Sequence, residues 1–235
     1  MLKFRKQKRI KSWSVQRPRT REDFNKWYSE NNDDPWGYKN YKIQSRLNES
    51  LDFILNYLPQ DFSGNIIEIG AFRGDFSILL CNKYKNAKIY INDISDIALK
   101  YAKEKTSSFN NVSYFMKDLL KISIDDIDDN SKDTVLILLE CIYYLSNEER
   151  EIALKNLRRS FPNASIFISA PMSGGVYFLE YQFLYMMKNC GYRLNGIKVL
   201  NLKKLSFLRT ILKPVANRSK KVREKVARQV IFYFT

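Results

Sequence analysis

Histidine is absent from the 235 residues, which removes the commonest general base and a favoured metal ligand together. Any proton acceptor must then be a carboxylate, a tyrosine, a lysine, a thiolate or water, and no metal is expected. The three cysteines, Cys81, Cys141 and Cys190, are scattered without paired spacing, so neither a disulfide framework nor a zinc knuckle is suggested and a reducing, cytoplasmic setting fits best. No apolar run approaches the roughly 18 residues needed to span a bilayer, and no apolar stretch follows the basic N-terminus as it would in a secretory signal.

What is present in excess is positive charge, a formal +15. Its distribution decides its meaning. Residues 1–21 carry nine Lys/Arg and no acid, and residues 201–235 carry ten against Glu224 alone. The span 22–200 is left with 21 bases and 24 acids, close to neutral. The basicity therefore belongs to two tails. Hydrophobic residues at 45% and aromatics at 14% give the remainder an ordinary globular composition, and the length suits one α/β domain with extensions.

Aromatic residues crowd 22–42 (Phe24, Trp27, Tyr28, Trp36, Tyr38, Tyr41) around the turn Asp33-Asp34-Pro35-Trp36-Gly37. Ile43, Leu47, Leu51, Ile54, Leu55 and Leu58 then recur at helical spacing. Short apolar runs follow at 65–69, 88–92, 112–116, 134–139 and 165–169, alternating with helical stretches at 75–83, 96–105, 148–160 and 176–190. That alternation predicts an α/β fold with a doubly wound, mostly parallel sheet. Further strands are predicted at 196–202 and 231–234. The expected division is a basic arm and aromatic lid over 1–44, the α/β domain over 45–200, and a basic amphipathic extension over 201–235.

The first strand runs into Ile67-Glu68-Ile69-Gly70-Ala71-Phe72-Arg73-Gly74-Asp75. In a doubly wound sheet a ligand lies outside the carboxyl ends of the strands, and glycines there let the backbone turn and approach it. An ordinary strand-to-helix turn produces similar strings. Asp93 ends the next strand, close to the spacing expected of a ribose-binding acid, although an acid there also suits the cap of a helix starting near Ser95. Asp118 and Glu140 end the two strands after that. The four acids follow at intervals of 25, 25 and 22 residues, each at a strand's carboxyl end.

Across residues 45–200 these motifs resemble the class I S-adenosylmethionine-dependent methyltransferases. The resemblance implies that Glu68, Gly70, Phe72 and Gly74 form the turn beneath the methionine end of the cofactor. It further implies that Asp93, with Ile94 after it, holds the ribose, and that Asp118, with Leu119, faces the adenine. Phe72 stands where that family usually has a glycine. A narrower likeness, carried by Asp34-Pro35-Trp36-Gly37-Tyr38 and Glu140-Cys141-Ile142-Tyr143-Tyr144-Leu145, is to nodulation-type (NodS-like) sugar methyltransferases. It implies Trp36 and Tyr38 as lid residues and Arg46 as a partner for the cofactor's carboxylate, against plain packing for the aromatics and a solvated helix face for Arg46.

Glu140, Tyr143 and Tyr144 are the expected catalytic side chains beside the transferred methyl, with packing behind the fourth strand as the alternative for the tyrosines. The loop Ala170-Pro171-Met172-Ser173-Gly174-Gly175 is a further place for substrate contact. A small-molecule acceptor, a saccharide or lipid-linked glycan, is expected. Nucleic acid is disfavoured, because amino-methylating nucleic-acid enzymes typically place an Asn/Asp-Pro-Pro-aromatic turn where this chain has Glu140-Cys141-Ile142-Tyr143. The fold alone leaves a binding module without activity open. In the C-terminal extension, bases mixed with Leu205, Phe207, Leu208, Ile211, Leu212, Val215, Val222 and Val226 suit the inner face of an anionic membrane as well as they suit a solvated tail. Pro214 is expected to break any long helix there.

Overall fold

The computed structural model describes residues 18–30, 34, 37–129, 133–172, 177–202 and 209–235. Two helices, α1 (Arg21–Glu30) and α2 (Tyr41–Leu55), precede the alternating β1 (Asn65–Ile69), α3 (Ser77–Lys83), β2 (Lys88–Asp93), α4 (Asp96–Thr106), β3 (Val112–Met116), β4 (Thr134–Leu139), α5 (Asn147–Ser160), β5 (Ser165–Pro171) and α6 (Glu180–Asn189). The chain closes with β6 (Leu194–Leu202), α7 (Arg209–Arg218), α8 (Lys220–Val226) and β7 (Ala227–Phe234).

The seven strands form one sheet in the order β3-β2-β1-β4-β5-β7-β6. The first five are parallel, and β7 runs antiparallel between β5 and β6. A parallel sheet covered by helices on both faces needs strands that are apolar throughout rather than alternating. Every residue of β1 is accordingly buried. Successive residues feed opposite faces: Ile67, Leu136 and Ile166 pack in one core, Ile66, Val135 and Phe167 in the other. The expected doubly wound, Rossmann-like sheet is what the chain forms.

The C-terminal region, expected as a basic amphipathic extension over 201–235 with a strand at 231–234, is joined to the sheet. β7 is an interior strand whose Val230, Ile231, Phe232 and Phe234 are at most 1% exposed, so the sheet cannot be completed by residues 45–200. α7 runs through Pro214, and the interruption falls instead at Ser219, whose hydroxyl accepts from Val222 N and caps α8. Part of the tail's charge is spent on docking. The buried Arg223 guanidinium makes a two-pronged ion pair with Glu180 at 2.7 and 2.8 Å, and Lys213 pairs with Glu49. A buried cation is tolerable only with such a partner. Leu205, Phe207 and Leu208 lie outside the described residues.

Candidate active site

A cavity of about 610 Å³ opens over the carboxyl ends of the parallel strands, the place where a doubly wound sheet binds its ligand. One side of its floor comes from β1, β2 and β3, the other from β4, β5 and β7.

On the first side the chain leaves β1 into the left-handed region at Gly70 (φ +75°), whose N–H and that of Ala71 both donate to Asn92 O at 2.9 Å. A Cβ on Gly70 would stand 2.7 Å from the Cβ of Cys141, so only glycine fits. Phe72 keeps a left-handed backbone (φ +50°) without being glycine. Its N–H donates to Asp93 Oδ2 at 2.9 Å, and its ring packs on Tyr28 (4.7 Å between centroids) and edge-on to Tyr38 (5.2 Å). Those contacts hold a conformation that costs on the order of 1 kcal/mol or more.

Asp93 is buried at the end of β2 and faces the cavity. Oδ1 accepts from Ser95 N and Oδ2 from Phe72 N, each at 2.9 Å, so the backbone aims the carboxylate while lone pairs remain for two ligand hydroxyls. Burial pushes its pKa up to about 6, with the backbone N–H donors restraining the rise. The alternative of Asp93 as helix cap is not what forms. Ser95 caps α4 through Ala98 N, and Asp93 orients Ser95. Ile94, Asp118 and Leu119 also line the cavity, with Asp118 Oδ1 accepting from Leu120 N at 2.9 Å. Asn92 ties this side together, donating to Phe115 O and Lys117 O across to β3.

Two residues expected at the cofactor are not among the cavity's lining residues. Glu68 points behind the turn, where it accepts a hydrogen bond from Ser77, and burial pushes its pKa up to about 8. Gly74 is left-handed (φ +73°) and lets the turn close on α4, where a Cβ would meet Ala102 Cα at 2.8 Å. Glu68 is turned away from the ligand side by the alternation of β1, and Gly74 by the packing of its turn on α4. Trp36 lies outside the described residues, as do Ser173, Gly174 and Gly175.

On the second side β4 is followed by Glu140, again left-handed (φ +60°), whose side chain lies on the cavity wall. Glu140 Oε1 accepts from Ser169 Oγ at 2.7 Å. Tyr143 and Tyr144 follow in a short 3₁₀ turn, rings 4.7 Å apart, with Tyr143 edge-on to Tyr177 and Tyr144 edge-on to Phe24, each at 5.3 Å. Burial pushes both phenols well above the usual tyrosine range, so they stay protonated near neutral pH. Arg46, from α2, donates to Gln229 Oε1 of β7 at 2.9 Å, and both line the cavity.

The cover of the cavity includes α1, a helix within the aromatic segment expected as a lid. Phe24 and Tyr28 line it, and Asn25 and Arg21 fasten the helix to Asp96 at the start of α4. The spacing of Phe24 and Tyr28, four apart beside a charged face, was the available signal. Gln229 and Arg228 had none, since nothing local tells that β7 enters the sheet beside β5.

Comparison with known proteins agrees with this geometry. Residues 66–162 match the family model described as a methyltransferase domain. Two malonyl-[acyl-carrier protein] O-methyltransferases of Ilyobacter polytropus are 29% and 33% identical over 83 and 79 residues, 35% and 34% of this chain. The matched segments span about 30% of those relatives' own length. Among solved structures, the N-methyltransferase NodS from Bradyrhizobium japonicum, in complex with S-adenosyl-L-homocysteine, superposes with a TM-score of 0.65 at 16% identity, covering 89% of this chain and 97% of that one. A phosphoethanolamine N-methyltransferase of Haemonchus contortus superposes at 0.59 with 15% identity, covering 91% and 48%. The β1–β3 side of the cavity fits a nucleoside: the buried Asp93 carboxylate keeps lone pairs to spare beside the Gly70 turn. Residues 66–162 thus match a methyltransferase domain, and the chain takes the class I methyltransferase fold of these structural neighbours.

Proposed function

We propose that the whole chain works as a methyltransferase on a small acceptor, a saccharide or lipid-linked glycan, methylated on an amine or a hydroxyl. S-adenosylmethionine supplies a methyl group already activated by its sulfonium, so the protein's task is alignment and exclusion of water. Asp93 would hold the ribose, with Ile94, Asp118 and Leu119 around the base and the Gly70–Phe72 turn under the methionine end. The observation that carries the acceptor side is Glu140, held at a strained φ beside Tyr143 and Tyr144 on the wall of the same cavity. Glu140 is the group to receive a proton from a hydroxyl or ammonium acceptor. The two phenols, kept neutral by burial, position the acceptor and wall off water rather than act as bases.

Incubation with methyl donor and a panel of amino sugars, neutral sugars and lipid-linked glycans tests this. Glu140→Gln should lower kcat at least about tenfold while leaving S-adenosylhomocysteine affinity within twofold. Unchanged kcat in the variant would remove Glu140 from the role, and cofactor binding without turnover on any acceptor would favour a binding module.

Peripheral membrane contact is a secondary part of the reading. Ile211 and Val215, one turn apart on α7, are exposed at 65% and 44%, beside Arg218, Lys220 and Lys221. No helix among the described residues is long and apolar enough to cross a membrane. Co-sedimentation with anionic but not neutral vesicles, weakened by Ile211→Glu, is the expected result.

A further inference from the structure

Gln229 is 3% exposed, and its amide is oriented without ambiguity because Arg46 donates to Oε1. That leaves Nε2 as a buried donor with no partner among the described residues, on a residue that lines the cavity. Buried donors are nearly always satisfied, and an orphan on a binding surface points to a ligand acceptor. Three cationic residues line the same cavity: Arg46, which contacts Gln229, and Lys42, both from α2, and Arg228, next to Gln229 on β7. The first turn of the 15-residue α2, at Asn40, Lys42 and Ile43, faces it too, adding the positive end of a helix dipole.

Resting on the proposed methyl transfer, we propose that Arg46, Lys42, Arg228 and Gln229 form a subsite for an anionic group, a carboxylate or phosphate, carried by the acceptor. The donor's own carboxylate is the rival occupant. The strand order argues against it: β7 stands three strands from β1, about 14 Å at the usual spacing, on the side away from Asp93 and Asp118. Gln229 sits level with Pro171 at the end of β5, beyond Glu140 on β4. The acceptor is thus a molecule with its nucleophile at Glu140 and its anion two strands farther along the sheet edge.

The test titrates inorganic phosphate, and separately acetate, into the 235-residue chain with and without saturating S-adenosylhomocysteine, following amide chemical shifts. Saturable millimolar binding of at least one anion is expected, weakened at least fivefold in Arg228→Ala and in Gln229→Glu, the latter keeping an oxygen for Arg46. Preference between the anions separates phosphate from carboxylate acceptors. Binding of neither anion, or equal binding by wild type and both variants, would overturn the subsite. So would a tenfold loss of S-adenosylhomocysteine affinity in both variants with methylthioadenosine, which lacks the carboxylate, bound as by wild type. A wild-type protein that takes phosphate but not S-adenosylhomocysteine would instead count against the methyltransferase reading.

Discussion

The two sides of the cavity floor are built by different means. On the β1–β3 side the carboxylates are aimed by backbone N–H groups: Asp93 by Ser95 N and by Phe72 N, 21 positions away, and Asp118 by Leu120 N. On the β4–β7 side the groups are assembled from distant parts of the chain, with Ser169 on Glu140 and Arg46 on Gln229, 183 positions away. The difference teaches that one side of the cavity is set by turns of the backbone, whereas the other depends on side-chain contacts between elements far apart in the chain.

Removing β7 is the strongest way to break that comparison. Deleting residues 227–235 exposes or removes four large side chains that are at most 1% exposed, about 6–12 kcal/mol at 1.5–3 kcal/mol each, against a total stability of roughly 5–15. The truncated chain should lose its cooperative thermal transition, and the donor side should fail with it. A folded truncation that still binds S-adenosylhomocysteine would show that the two sides are independent.

Gly70→Val, placed where the two sides touch through Cys141, should cost about 2–4 kcal/mol in denaturant melts and abolish cofactor binding. A milder change sharpens the role of Glu68. Its folded pKa of about 8 lies above the ordinary 4.5, so the folded state prefers the proton. The stability this confers is present below pH 4.5 and is lost as pH rises through 8. Glu68→Gln keeps an acceptor for Ser77 and never ionises. Its Tm should match wild type near pH 4.5 and exceed it by at least about 3 °C at pH 9. A gap of the same size at both pH values would point to packing instead of charge.

Much of the cavity floor was legible in the sequence. The strands 112–116 and 134–139 fall where the apolar runs predict them, and the acids Asp93, Asp118 and Glu140 stand on the cavity wall. Spacing did not reveal which members of the glycine turn face the ligand. Glu68 and Gly74 serve the turn from below, and Phe72, in the glycine's place, is held by rings from α1 and the loop before α2. β7 was read as a late strand of four residues in a basic tail, because apolar content marks a strand but not its neighbours. Its insertion between β5 and β6 brought Arg228 and Gln229 to the cavity and turned part of the tail's charge into buried pairs.

The most direct measurement is a calorimetric titration of S-adenosylhomocysteine into wild type and Asp93→Ala at pH 7.5, above the pKa of about 6 at which Asp93 ionises. The account predicts binding near micromolar, about −8 kcal/mol, weakened at least tenfold, about 1.4 kcal/mol, by the substitution. Equal affinity in the two proteins would place the nucleoside elsewhere, and no binding to either would contradict the central claim.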